Sequence, residues 1–266
     1  ARLLEAGITD CGKPLHLFLI SKEEIFDPVI VRENDRRVVL VNNGIHAGEP
    51  CGVDGSILLA EEILGNQIKY QEVLDNLVIA IIPIFNVGGS LYRSKFHRAN
   101  QNGPVYQGFR GNAMNLDLNR DFVKLDTRNA RSLVQIMRTW DPDIMIDTHT
   151  SNGADYPYVL TLISAQKDKL NPPLADFLSE TMLPDLYKRM KEGPYEMIPY
   201  VNSRNHRNPD DGIVAFMEYP RYTSGYVTLF NCISFTTEAH MFKKFSDRVL
   251  ATYHFILNTL KFTAEN

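Results

Sequence analysis

Val38-Val39-Leu40-Val41-Asn42-Asn43-Gly44-Ile45-His46-Ala47-Gly48-Glu49 carries an apolar run into a histidine and a carboxylate three residues apart. The run from Val38 to Val41 reads as a buried strand, and a helical pattern begins after Pro50. His46 and Glu49 therefore occupy a tight, glycine-containing turn at the C-terminal end of a strand. In open α/β sheets that edge is where ligands bind. A neutral imidazole and a carboxylate are two of the three protein ligands a catalytic zinc commonly takes, with one position left for water. His-x-x-Glu is a short pattern. It gains meaning only with a third ligand, a base and anion-binding groups, and candidates for all of these follow downstream.

Working outward, Leu15 to Ile20 reads as a strand, with Arg37 to Asn42 its neighbour across a turn region, Pro28 to Asp35. Val53, Ile57, Ala60 and Leu64 recur at helical spacing, and Gly65 supplies a stop. Leu77 to Ile82 is a further apolar run closed by Pro83. After Trp140-Asp141-Pro142 the chain re-enters the sheet as Ile144-Met145-Ile146-Asp147 and ends in Thr148-His149-Thr150. Strands alternating with helices predict an α/β fold, a mixed or parallel sheet covered on both faces.

The chain has 266 residues, 44% of them hydrophobic, which suits one large core and predicts a single domain over 1–266. Lys plus Arg total 28 against 32 acidic residues, a net charge of −4, which argues against a nucleic-acid or anionic-membrane partner. No apolar run approaches the ~20 residues that span a bilayer. The sequence opens on Ala1 without Met and shows no signal sequence, so the compartment stays open, with a secreted or periplasmic location compatible. Cys11, Cys51 and Cys232 are widely spaced and odd in number, which excludes a disulfide framework or zinc ribbon and reads as small buried hydrophobes.

Residues Ala99 to Ala113 form a long patternless stretch bracketed by Arg98 and Arg110, and loops of this length are often functional. In Met114 to Phe122, strict alternation predicts an extended segment with Asn115, Asp117 and Asn119 on one face. A helix follows, with Asp126 as N-cap and Ala130, Leu133, Ile136 and Met137 buried. Pro172 to Met190 reads as a surface helix and Gly193 to Gly212 as loop. The aromatic stretch Tyr219 to Tyr226 reads as a mobile pocket wall or a packed corner. Cys232 to Thr237 is a strand delivering Glu238, and Ser246 caps a last helix that buries Leu250, Tyr253, Leu257 and Leu260. His149 stands at a strand end as His46 does; His240, two residues beyond Glu238, is its rival as third ligand.

Four blocks in this order resemble the zinc carboxypeptidase family of the carboxypeptidase A type. They are His46-Ala47-Gly48-Glu49, Asp117-Leu118-Asn119-Arg120-Asp121-Phe122, His149, and Phe235-Thr236-Thr237-Glu238. The resemblance runs from about Leu15 to Leu260. It implies a mixed, mostly parallel, twisted sheet of about eight strands between helices, and one Zn²⁺ held by His46, Glu49 and His149. It further implies Glu238 as general base, Asn119 and Arg120 as the pair holding a substrate's terminal carboxylate, and Asp117 as a partner of the first histidine. The substrate implied is a peptide or amino-acid amide with a free C-terminal carboxylate. Arg98 and Arg110 compete for the oxyanion-stabilising role, with Arg98 preferred for its place after Tyr92 to His97.

Three departures stand out. Larger digestive members carry Arg where this chain has Gly48. The mobile tyrosine near substrate has two candidates here, Tyr222 and Tyr226. Little helix-forming sequence precedes the first strand. A zinc amidohydrolase or deacylase on the same scaffold, acting on N-acyl amino acids or cell-wall peptides, and a peptide-binding relative without catalysis are the competing readings. The absence of Gly-x-Ser-x-Gly weighs against a serine hydrolase. Oligomeric state is not legible.

Overall fold

Both faces of the strand Arg37–Asn43 are buried: Val39 and Val41 enter one apolar cluster, Val38 and Leu40 the other. A strand covered on both sides belongs at the centre of a sheet with helices above and below. In the computed structural model, which describes residues 1–151, 155–205 and 207–266, it is the third of eight strands in one mixed sheet. These are β1 (Arg2–Ile8), β2 (Pro14–Ile20), β3 (Arg37–Asn43), β4 (Leu77–Ile82), β5 (Ile144–Ser151), β6 (Leu160–Ser164), β7 (Met197–Pro199) and β8 (Ile233–His240). Their spatial order is β1-β2-β4-β3-β5-β8-β6-β7. The central four, β4, β3, β5 and β8, run parallel. Antiparallel pairing joins β1 to β2, β2 to β4, and β6 to β8.

Four main helices cover the sheet: α1 (Cys51–Gly65), α2 (Arg128–Trp140), α3 (Leu183–Glu192) and α4 (Phe245–Glu265). Leu59 and Ile63 of α1, Leu186 of α3 and Phe255 of α4 pack on the face that carries Val39 and Ile146. On the other face Leu133, Ile136 and Met137 of α2 meet Val38, Val78 and Met145. Each such side chain contributes ~1.5–3 kcal/mol when fully buried, so Leu133→Ala should cost ~2–5 kcal/mol. Among the described residues no helix is long and apolar enough to cross a membrane.

Several local expectations need correction. Arg2–Ile8 is a strand, the edge of the sheet, with a register shift between Glu5 and Gly7 that breaks its alternation. Pro28–Glu33 is a short helix capped by Asp27. On α1 the face turned inward is Cys51, Ser56, Leu59 and Ile63, whereas Ile57 is exposed, because tight packing of the small residues decides the rotation. The Met114–Phe122 stretch is not extended. Asn112 Oδ1 accepts from the Met114 and Leu116 amides, Asn115 has φ +59, and Leu118–Arg120 forms a helical turn. Asn115 therefore does not share a face with Asp117 and Asn119. Thr127, not Asp126, caps α2 through the Ala130 amide, and α4 starts at Phe245, so Ser246 lies inside it. Leu250 is 37% exposed, while Tyr253, Leu257 and Leu260 are buried. Within 193–212, Met197–Pro199 closes the sheet as β7, and Val201–Ser203 pairs with Ile213–Ala215.

Candidate metal centre and pocket

Where β3 and β5 reach their C-terminal ends, the buried positions turn from apolar to polar. Asn42 and Asp147 are register partners, and Asn42 Nδ2 donates to Asp147 Oδ1 at 2.9 Å. Thr148 Oγ1 donates to Asn43 Oδ1 at 2.8 Å. The chain then leaves β3 through Gly44, whose φ of +65 is a conformation glycine adopts without Cβ strain. That turn sets His46 and Glu49 over the crevice between β3 and β5. After β3 the chain moves to β4 on one side, and β5 joins it on the other. Such a switch point opens a crevice at the strand ends.

His46, Glu49 and His149 meet there, all buried, with one ligand atom from each lying within 4.8 Å of the others. Glu49 Oε1 is 3.1 Å from His46 Nδ1 and Oε2 is 3.0 Å from His149 Nδ1. Behind them each Nε2 faces a second carboxylate, His46 that of Asp117 at 3.0 Å and His149 that of Asp147 at 3.1 Å. A carboxylate only accepts, so each Nε2 is held as a proton donor, and each Nδ1 can offer a lone pair to a metal once it is deprotonated. The buried His46 Nδ1 has no hydrogen-bond partner among the described residues. Two imidazole nitrogens and a carboxylate are a donor set suited to zinc. The residues fit the ion.

The electrostatics agree. Burial opposes charge on Glu49, but His46 and Arg98 outweigh it and hold the carboxyl well below its usual range. Burial likewise opposes the His149 imidazolium, yet Asp147 and Glu49 raise it well above the usual histidine range. Asp117 is also held down, because His46, Arg110 and Arg120 overcome its burial.

The pocket over this centre is lined by Glu238, Arg110, Arg120, Asn119 and Tyr222 together with the three candidate ligands. Burial is the main cause that lifts the Glu238 carboxyl to about 7; His149 pulls it down and Glu49 pushes it up. Arg110 donates through Nε to Asp117 Oδ2 at 3.0 Å, and its side chain is 40% exposed. Arg120 Nη1 donates to the Asn119 carbonyl at 2.7 Å, and its guanidinium lies 4.6 Å over the Tyr222 ring. The Asn119 amide is tied inward: Oδ1 accepts from the Thr223 amide and hydroxyl, and Nδ2 is 3.3 Å from His149 Nε2.

Other expected site residues lie elsewhere. Arg98 sits behind Glu49 and is absent from the pocket wall, because three buried partners hold its guanidinium there. Tyr226 packs between Phe122 and Phe230, away from the pocket, since its place on a short helix turns it toward the core. His240 stands outside the three-ligand group; its ring nitrogens face the Tyr156 and Phe242 amides at 3.4 and 3.3 Å. Sequence reasoning missed Asp147, although its place two residues before His149 on one strand face signals the pairing. It also missed Ile163, Tyr200 and Phe216 on the pocket wall, which come from separate segments with no shared pattern.

A family profile described as zinc carboxypeptidase matches residues 1–257. The chain belongs to that family. Among curated proteins it is 26% identical over 111 residues to a probable carboxypeptidase 2 of Arthroderma benhamiae and 25% identical over 111 residues to carboxypeptidase 2 of Trichophyton rubrum. Each match covers 42% of this chain and 18% of the relative, so the chain spans about a fifth of their length. Among solved structures it is similar to a metallo-carboxypeptidase from Burkholderia cenocepacia, with a TM-score of 0.73 at 16% identity over 99% of this chain and 64% of that one. A metallo-carboxypeptidase from Pseudomonas aeruginosa, solved with (2-guanidinoethylmercapto)succinic acid, gives a TM-score of 0.70 at 15% identity, covering 99% and 64%. At such identities the likeness concerns the zinc carboxypeptidase fold.

Proposed function

We propose that this protein is a zinc metallocarboxypeptidase that hydrolyses the C-terminal bond of peptides, with Glu238 as general base. The observation that carries the reading is the arrangement of one open pocket. Two histidines and Glu49 present three ligand atoms at its base, with Glu238 on the wall and two arginines lining it.

A single Zn²⁺ held by His46, Glu49 and His149 would supply Lewis acidity and lower the pKa of water at the site. Glu238 accepts the proton of the attacking water and returns it to the departing amine nitrogen. Arg110, the pocket-facing cation near Glu49, donates to the carbonyl oxygen as negative charge builds on it. Arg120 forks onto the substrate's terminal carboxylate, which selects chain ends over internal bonds. Its stacking on Tyr222 holds the guanidinium plane. Asn119 holds the Thr223 segment through Oδ1. Asp117 and Asp147 fix the tautomers of the two histidines.

Among the described residues the remaining wall, with Ile163, Tyr200, Phe216, Ser224 and Thr236, adds no further charge, which favours an apolar or aromatic C-terminal residue. The test is hydrolysis of N-blocked dipeptides with apolar, acidic and basic ends. Activity should be greatest on the apolar ends, vanish with a chelator and return with zinc. Turnover that survives complete metal removal would contradict the proposal.

A further inference from the structure

Arg98 stands behind the candidate metal site, with its side chain only 9% exposed. Its Nη1 donates to Glu49 Oε1, its Nη2 to the Thr150 carbonyl and its Nε to Gln101 Oε1, each at 2.8 Å. Gln101 in turn donates to the Gly48 carbonyl at 2.9 Å and the Gly103 carbonyl at 3.1 Å. The carbonyls of Asn102 and Gly103 accept from Nη2 of Arg248 on α4 at 2.6 and 2.7 Å. A continuous set of hydrogen bonds thus runs from α4 to Glu49. Gly48 makes the room. A Cβ at that position would fall 2.8 Å from Arg98 Cγ and 2.8 Å from the Gly108 carbonyl.

The other oxygen of Glu49 is also held: Oε2 accepts from the Thr150 amide at 2.9 Å. With Oε1 on the Arg98 fork and Oε2 on Thr150, the plane of the carboxylate is set by protein groups alone. We propose that Arg98, admitted by Gly48, is a positioning residue that locks Glu49 so that the ligand set is assembled before the ion arrives. The inference rests on the zinc reading given above.

Two physical effects of Arg98 on metal affinity have opposite signs. As a buried cation beside a dication site it repels the metal, so electrostatics alone makes its removal tighten binding. As an orienting group it lowers the cost of assembling the ligands, so its removal weakens binding, and partners of metal ligands commonly matter by about 10- to 100-fold. Positioning is the larger effect here, because all three contacts are short and buried.

The experiment is titration of the metal-free protein with Zn²⁺ against a chromophoric chelator, for wild type, Arg98→Lys and Arg98→Met, with thermal melts of each metal-free form. Arg98→Met should bind zinc about 10- to 100-fold more weakly. Arg98→Lys should fall between the two, since an ammonium keeps the charge but not the planar fork. Equal or tighter zinc binding by both variants overturns the inference, as does a lowered melting temperature with unchanged zinc affinity. If the Met variant fails to fold, the Lys variant decides by the same criterion. Wild-type protein that takes up no zinc overturns the zinc reading itself, and this inference with it.

Discussion

Glu238 and His149 are register partners on the adjacent parallel strands β8 and β5. Paired positions on neighbouring strands point to the same face of a sheet, so the proposed base and the candidate ligand stand side by side on one pocket wall. Arg110 is engaged with Asp117 and Glu49, leaving Glu238 without an ion pair among the described residues. Its carboxyl is raised to about 7, chiefly by burial. Folding therefore favours the protonated acid, and stability is lost as pH rises through about 7. Glu238→Gln should lower kcat by ~10²–10⁴-fold. The same change should raise the stability of the metal-free protein at pH 8 by up to roughly 3 kcal/mol, and by little near pH 4. Parallel kinetics and melts check both. A destabilised variant with near-normal kcat would give Glu238 a structural role only.

Zinc affinity should rise with pH. In the metal-free protein the neighbouring carboxylates favour the His149 imidazolium despite its burial. The proton on Nδ1 must leave before a metal can take that position. Binding should weaken about tenfold per pH unit below the His149 pKa, as measured by competition titration from pH 5 to 8. A flat profile would remove His149 from the ligand set.

The two outer carboxylates should matter through their histidines. Asp117→Asn and Asp147→Asn each allow an amide N–H to meet Nε2, which favours the wrong tautomer. Each should weaken zinc binding about 10- to 100-fold. Asp117 also anchors Arg110, so its variant should lose more kcat at saturating zinc than the Asp147 variant does.

What was legible in the sequence is local. The apolar runs of β3, β4, β5 and β8 are buried on both faces, so composition alone marks them as central strands. His46, Glu49, His149 and Glu238 lie at or just beyond the ends of those strands, and placing the strands places them. The edge strand Arg2–Ile8 escaped because only one face is covered and its register shifts midway. Met114 to Phe122 misled because alternation also arises where side chains of Asn112 and Asp117 cap successive turns. Which of Arg98 and Arg110 lines the pocket depends on which guanidinium finds buried partners some fifty residues away in Glu49 and Thr150. No local spacing encodes that.

Arg120 is proposed to recognise a chain end beside a metal-assisted hydrolytic site, and a cycle of kcat/KM values isolates that recognition. The four measurements pair wild type and Arg120→Ala with a peptide bearing a free C-terminal carboxylate and with its amide. Loss of the charge-assisted fork should lower kcat/KM on the free acid by on the order of 100-fold. Amidation should cost wild type a similar factor. The variant should lose little more on the amide, because both changes delete one interaction. Equal cleavage of acid and amide by the wild-type protein would contradict the account and favour a deacylase or an endo-acting hydrolase.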